Sequence, residues 1–206
     1  MAEFPCVTNM QDMEVPVQED EGKKRVYGPK VGKGLTIDRT FPWAGTERAI
    51  IRSLESLLSA NINTITGTVQ CKICKGRLKV QYDILEKFEK LKAFIVAEKP
   101  NMQDKKAPYA WKHPKRGSCL MCLRHNTMEP LIWPKKQGIN WLFLLLGQTI
   151  GFCNEDQLRY LCKHNRVDRS GNLDELIYKT YFCLWIPMNE HGGMLSFIQI
   201  NPTNQT

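Results

Sequence analysis

The sequence predicts an α+β fold: a small β unit interrupted by an inserted helix and packed on a small helical cluster. Three observations carry this expectation. Two Cys-x-x-Cys pairs, Cys71/Cys74 and Cys119/Cys122, lie beside short β-prone segments. Several longer runs repeat their apolar residues at helical spacing. Hydrophobic residues make up 42% of the 206-residue chain, enough for a sizeable core in one domain flanked by tails.

Residues 1–40 are expected to be a disordered tail, with few large apolar residues, no periodicity and scattered Gly and Pro. Within it, Lys23-Lys24-Arg25 is a weak import-like cluster, read as readily as solvated charge. The folded domain is expected to span 41–186, opening on Phe41-Pro42-Trp43. Thr46 is the expected N-cap of a first helix carrying Ile50, Ile51, Leu54, Leu57 and Leu58 and ending at Asn61. Thr64 to Gln70 is β-branched and reads as a strand entering Cys71. Lys75-Gly76 then turns the chain, and Leu78, Val80 and Tyr82 alternate with polar residues as a second strand. The first cysteine pair is thus placed at the tip of a hairpin.

Asp83 can cap a helix running to about Lys99, with Ile84, Phe88, Leu91 and Ile95 on one face. A basic connector follows with Tyr109, Trp111 and His113, then the second cysteine pair and a short strand from Met128 to Trp133. Asn140 to about Ile150 is apolar almost all round, which predicts a central helix. Two more helices are expected. One runs from the Asn154 cap to His164, burying Leu158, Leu161 and Cys162. The other runs from Leu173 to Leu184, with Leu176, Ile177, Tyr181 and Leu184 inward. Residues 187–206 read as a loose C-terminal tail in which Leu195 to Ile200 could add an edge strand.

Charge and hydropathy narrow the class. No N-terminal apolar segment follows a basic stretch, so no signal peptide is expected. The most apolar run, Trp141 to Leu146, falls far short of the roughly 20 residues of a membrane span. The expectation is a soluble intracellular protein of nucleus or cytoplasm with no membrane partner. The net charge of +8 is unevenly spread: residues 1–21 hold six acids and no Lys or Arg. Residues 101–140 hold eight basic side chains (Lys105, Lys106, Lys112, Lys115, Arg116, Arg124, Lys135, Lys136) against Asp104 and Glu129, a balance of 8 − 2 = +6. Such a patch fits nucleic acid, an acidic protein, or simply a solvated loop.

Two Cys-x-x-Cys pairs in a chain without a secretion signal point to metal rather than disulfides. Each pair turns tightly enough for both sulfurs to meet one ion, and amides in the turn can donate to the sulfurs. Four thiolates suit one tetrahedral zinc ion, and the expected ligands are Cys71, Cys74, Cys119 and Cys122. With the first pair at a hairpin tip and a strand after the second, the β unit reads as zinc-ribbon-like. The 44 residues between the pairs exceed the roughly 15–20 of a compact ribbon, and the helix after Asp83 accounts for most of the excess. In the first pair Gly76 eases the turn; in the second, Asn126 is the expected left-handed residue. A closed four-thiolate site leaves no open position for water or substrate, so it reads as structural rather than catalytic.

The competing chemistry is thinner. His125 could substitute for a cysteine, but four thiolates make it surplus. Cys153, Cys162 and His164 suggest a second metal site, against which Cys162 shares an apolar face with Leu158 and Leu161. Cys6 and Cys183 receive no role. No Gly-rich phosphate loop, His-Glu-x-x-His or nucleophile elbow occurs, and the four histidines lie in no catalytic context. Trp111, Trp133 and Tyr109 among basic residues would make a stacking surface for nucleic acid if exposed, and core anchors if buried.

Several runs resemble a plant-specific family defined as a domain of unknown function. They are Phe41-Pro42-Trp43, Gly67 to Cys74, Tyr82 to Phe88, Ala107 to Trp111, Leu158 to His164, and above all Asn140-Trp141-Leu142-Phe143-Leu144-Leu145-Leu146-Gly147-Gln148. The resemblance covers roughly 41–186 and implies that the two cysteine pairs are metal ligands; it implies no activity. It departs after His164, where Asn165 to Gly171 stands in place of a more basic, histidine-containing segment.

The combined expectation is a non-catalytic zinc-stabilised protein-interaction module with the connector 101–118 as its contact surface. The alternative is nucleic-acid binding through the 101–140 patch.

Overall fold

The computed structural model describes residues 40–188, which form a mixed α+β fold built on a three-stranded antiparallel sheet. The strand order is β2-β1-β3, with β1 (Thr64–Cys71) central. Strand β2 (Arg77–Asp83) pairs with it from Thr64 opposite Asp83 to Gln70 opposite Arg77. On its other edge β3 (Met128–Pro130) sets Met128 opposite Cys71. Period-2 alternation turns Ile65, Val69, Val80 and Tyr82 into the core and leaves Lys79 and Gln81 outside.

Helix α2 (Ile84–Glu98) starts directly from β2, because the Asp83 carboxylate accepts the Glu86 amide at 2.8 Å. Its buried side chains are the expected Ile84, Phe88, Leu91 and Ile95. The connector continues through a 3-10 segment (Lys99–Lys105) into a single helical turn, α3 (Tyr109–Lys112). At the centre of the domain lies α4 (Trp141–Leu146), whose six residues are all buried. Helix α5 (Glu155–His164) opens on a reciprocal cap between Asn154 and Gln157, and α6 (Leu173–Met188) packs against it. Leu158, Leu161 and Cys162 of α5 and Leu176, Ile177, Tyr181 and Leu184 of α6 are buried as expected.

Asn140 joins three parts of this arrangement. Its Oδ1 accepts the Trp43 indole N–H at 2.9 Å and the Phe143 amide at 3.3 Å, which caps α4. Its Nδ2 donates to the Thr66 carbonyl at 2.9 Å, tying α4 to the free edge of β1. The Phe143 ring stacks on Tyr82 (centroids 4.7 Å apart) and lies across Gly67, where any Cβ would come within 2.5 Å of it.

Three helix boundaries differ from expectation. The first helix is confined to α1 (Leu54–Ser59), capped by Ser53 rather than Thr46. Upstream, Ala49 adopts φ 58°, Gly45 N–H donates to the Ile50 carbonyl, and Ala44 bridges Ile51. A left-handed residue cannot propagate an α-helix, so Ile50 and Ile51 follow a turn instead, with Ile51 buried at the bridge to Ala44. Helix α4 stops at Gly147 and the left-handed Gln148 instead of reaching Ile150. Helix α6 runs on to Met188, past Leu184, because Trp185 and Met188 are also buried. The acidic segment, Lys23-Lys24-Arg25 and the suggested edge strand at 195–200 lie outside the described residues.

Candidate metal centre

Cys71 closes β1, and Cys74 sits in the turn that leads to β2. Cys119 and Cys122 occupy a second, shorter hairpin, in which the Thr127 and Met128 amides both donate to the Gly117 carbonyl at 3.0 and 3.1 Å. Pairing of Met128 with Cys71 then brings the second turn beside the first, and the Lys72 amide donates to the Thr127 carbonyl at 2.8 Å between them.

The two turns share one backbone design. The first cysteine's amide donates to the carbonyl five residues on: Cys71 to Gly76 and Cys119 to Arg124, both at 2.9 Å. The residue after the second cysteine is left-handed in each, Lys75 at φ 60° and Leu123 at φ 56°. Asn126 is left-handed as expected, and Lys75 and Leu123 add two left-handed positions that were not expected. Both turns place a side-chain-bearing residue in the strained region, at an ordinary cost of about 1–2 kcal/mol each.

Cys71 Sγ lies 3.7 Å from Cys122 Sγ, and Cys74 Sγ lies 3.6 Å from Cys119 Sγ. All four sulfurs are within 4.8 Å of one another. A disulfide would need about 2.05 Å. A tetrahedron of thiolates about 2.3 Å from a central ion has edges of about 3.8 Å. The spacing is that of ligands around a shared ion, so the cluster could hold a metal. Among the described residues it is the one group of three or more Cys, His, Asp or Glu whose ligand atoms converge in this way.

The thiols respond to their surroundings in opposite directions. Burial pushes Cys71 up, but the Thr127 hydroxyl and the Cys74 and Ile73 amides outweigh it and bring the thiol down to about 6. The Ile73 amide reaches Cys71 Sγ at 3.4 Å. At Cys74 the Gly76 amide pulls down, while burial and the three neighbouring sulfurs push the thiol up to about 11. Four thiolates at these distances repel one another, and a cation replacing their protons removes that conflict. Cys71 and Cys119 are buried and Cys74 is exposed, so the cluster opens towards solvent at one edge.

The remaining candidates stay apart from this cluster. The His125 ring nitrogen Nδ1 is hydrogen-bonded to the Ser118 hydroxyl at 2.9 Å. Burial pushes Cys153 up to about 12 and also raises Cys162, as expected of thiols used for packing. His164 stacks edge-on against Tyr160, and burial followed by the Arg48 and Lys163 charges lowers its pKa. Cys183 is likewise pushed up to about 12, by burial and then by Cys162.

The connector turns inward more than its composition suggested. Met102, Ala107, Pro108 and Trp111 are buried. Of the eight basic residues in 101–140, Lys112 pairs with Asp174 (2.9 Å), Arg116 with Glu129 (3.0 Å) and Lys136 with Asp156 (4.0 Å).

Sequence reasoning missed the apolar side chains at the two Cys-x-x-Cys turns. Ile73, Leu120, Met121 and Leu123 are all exposed, Leu123 to 77%. A readable signal existed: in a Cys-x-x-Cys turn the sulfurs take the inside, so the intervening residues must point out. Among the described residues, no helix is long and apolar enough to cross a membrane.

No curated protein and no solved structure matches the chain. Residues 54–187 match a family described as a domain of unknown function, DUF7086, and the chain belongs to that family.

Proposed function

We propose that this protein is a non-catalytic, zinc-stabilised protein-interaction module of nucleus or cytoplasm, with Cys71, Cys74, Cys119 and Cys122 as the zinc ligands. The observation that carries the reading is the ring of exposed apolar side chains, Ile73, Leu120, Met121 and Leu123, on turns stiffened by the cysteine cluster. Apolar groups held rigidly in solvent lose little conformational entropy on contact, which suits a docking surface. Zinc fits an all-thiolate tetrahedral donor set in a reducing compartment, and four protein ligands complete its preferred coordination. Such a closed ion supports no hydrolytic chemistry.

The groove bounded by Phe41, Gly67, Trp133 and Phe143 adds to this reading. It holds about 140 Å³, and Lys79 is the one titratable side chain along it. Ligand pockets are usually larger, about 300–1,000 Å³. This reading prefers the two Cys-x-x-Cys turns to the connector, whose Met102, Ala107, Pro108 and Trp111 are buried while Tyr109 stays exposed.

Capture from cell extract tests the reading. The full chain should retain a protein partner that Leu123→Asp and Met121→Asp variants with unchanged zinc content release. Retention by both variants would refute it. The alternative, nucleic-acid binding through Lys105, Lys106, Lys115, Arg124 and Lys135, predicts DNA or RNA retention that weakens steeply with salt. Burial of Trp111 and the ion pairs of Lys112, Arg116 and Lys136 weigh against it, whereas exposed Tyr109 and Trp133 leave two of the three stacking aromatics in solvent.

A further inference from the structure

The same metal turns are basic as well as apolar. Residues 71–77 and 117–128 contain Lys72, Lys75, Arg77 and Arg124 and no Asp or Glu. All four are exposed. The nearest acid in sequence, Glu129, is already engaged by Arg116 at 3.0 Å and Lys72 at 4.0 Å. Four thiolates on a dication leave a charge of −2, so part of this basic charge offsets the centre itself. The four cations still exceed it by two. A matching ligand therefore carries carboxylates interspersed with apolar side chains.

The chain contains such a segment. Residues 3–21 hold Glu3, Asp12, Glu14, Glu19, Asp20 and Glu21 with no Lys or Arg, and carry Phe4, Val7, Met10, Met13, Val15 and Val17 between them. The chain's net +8 includes this −6, so the rest carries 8 + 6 = +14. The described residues begin close to the turns. Phe41 lines the groove beside Thr66, Gly67 and Thr68 of β1. Cys71 lies three residues further along that strand, about 10 Å. Residues 22–40 can extend over about 60 Å, several times that distance.

We infer that residues 3–21 dock on the face formed by Ile73, Leu120, Met121 and Leu123, their carboxylates meeting Lys72, Lys75, Arg77 and Arg124. The inference rests on the reading of the metal turns as a contact surface and names its occupant within the same chain. An external partner would then compete with this segment for the face.

The test uses the full zinc-loaded chain with a photo-crosslinking amino acid at Leu123, whose exposed side chain the fold does not need. Irradiation should give a monomeric product in which position 123 is joined to residues 3–21. Its yield should drop in 1 M salt, where the Debye length is about 3 Å. It should be largely lost when the six acids are replaced by amides (E3Q, D12N, E14Q, E19Q, D20N, E21Q). A product joined elsewhere, a dimeric product, the absence of a product, or a yield indifferent to the six substitutions would each overturn the inference. Failure here leaves the capture result with Leu123→Asp standing on its own, so loss of the internal occupant and loss of the contact surface are told apart.

Discussion

The indole of Trp111 lies on the Tyr181 ring with centroids 3.7 Å apart and planes 9° from parallel. Its N–H donates to the Gln148 side-chain oxygen at 3.3 Å. Phe94 and Phe182 close the other sides, with centroids at 5.6 and 6.1 Å. This contact clamps the connector to α6 and removes its largest aromatic residue from any surface. Close by, Gly151 is obligatory: a Cβ there would stand 2.1 Å from the Trp111 carbonyl oxygen.

Truncating Trp111 to Ala should therefore behave as a core deletion. A loss of about 3–5 kcal/mol is expected in urea or guanidinium unfolding, with zinc content retained in the protein that remains folded. A variant of unchanged stability would contradict the stacked geometry.

Replacing Cys71 or Cys119 by Ser should abolish stoichiometric zinc and unfold the β unit, since both sulfurs are buried at the junction of the two turns. The untagged wild-type chain should hold one zinc per molecule by metal analysis, and a strong chelator should remove its β signature in circular dichroism. Because protons compete with the ion for thiolates, zinc affinity should fall as pH is lowered. Fully folded wild-type protein with substoichiometric zinc would refute the assignment.

Gly67→Ala should destabilise by about 1–3 kcal/mol, because the new methyl meets the face of the Phe143 ring. Shortening the obstacle with Phe143→Leu in the same chain should recover part of the loss. Strict additivity of the two substitutions in a double-mutant cycle would rule out the contact.

Asp168 reports on acid stability. The Lys179 ammonium at 2.8 Å, then the Ser170 hydroxyl and amide, hold its carboxyl well below the usual carboxylate range. A depressed folded-state value stabilises above the ordinary carboxylate pKa, and that stability is lost as pH falls through the folded value. Asp168 is largely exposed, so Asp168→Asn should cost only about 0.2–1 kcal/mol at neutral pH. The difference from wild type should vanish at strongly acid pH when unfolding is followed as a function of pH.

Much of this architecture was written in local pattern. The alternation of Leu78, Val80 and Tyr82, the Asp83 cap and the i, i+4, i+7 and i+11 spacing of Ile84, Phe88, Leu91 and Ile95 are short-range signals, and the chain obeys them. The Asn154 cap and the apolar faces of α5 and α6 belong to the same class. The first helix misled because Ile50 and Ile51 keep helical spacing while Ala49 departs from helical backbone. Spacing records which side chains are apolar, not whether a bend intervenes.

The sequence by itself determined that each Cys-x-x-Cys pair presents two sulfurs from one tight turn, since that spacing is a local property of the chain. Tertiary structure decided how the pairs meet: β3 aligns Met128 with Cys71, and that register brings sulfurs 51 residues apart to 3.7 Å. It also decided which aromatic residue of the connector is buried. Trp111 went inward because Tyr181, Gln148 and Phe94 converge on it from distant parts of the chain. Ile73, Leu120, Met121 and Leu123, by contrast, face outward for a local reason: the sulfurs occupy the inside of their turns, leaving these four side chains exposed at the cysteine cluster.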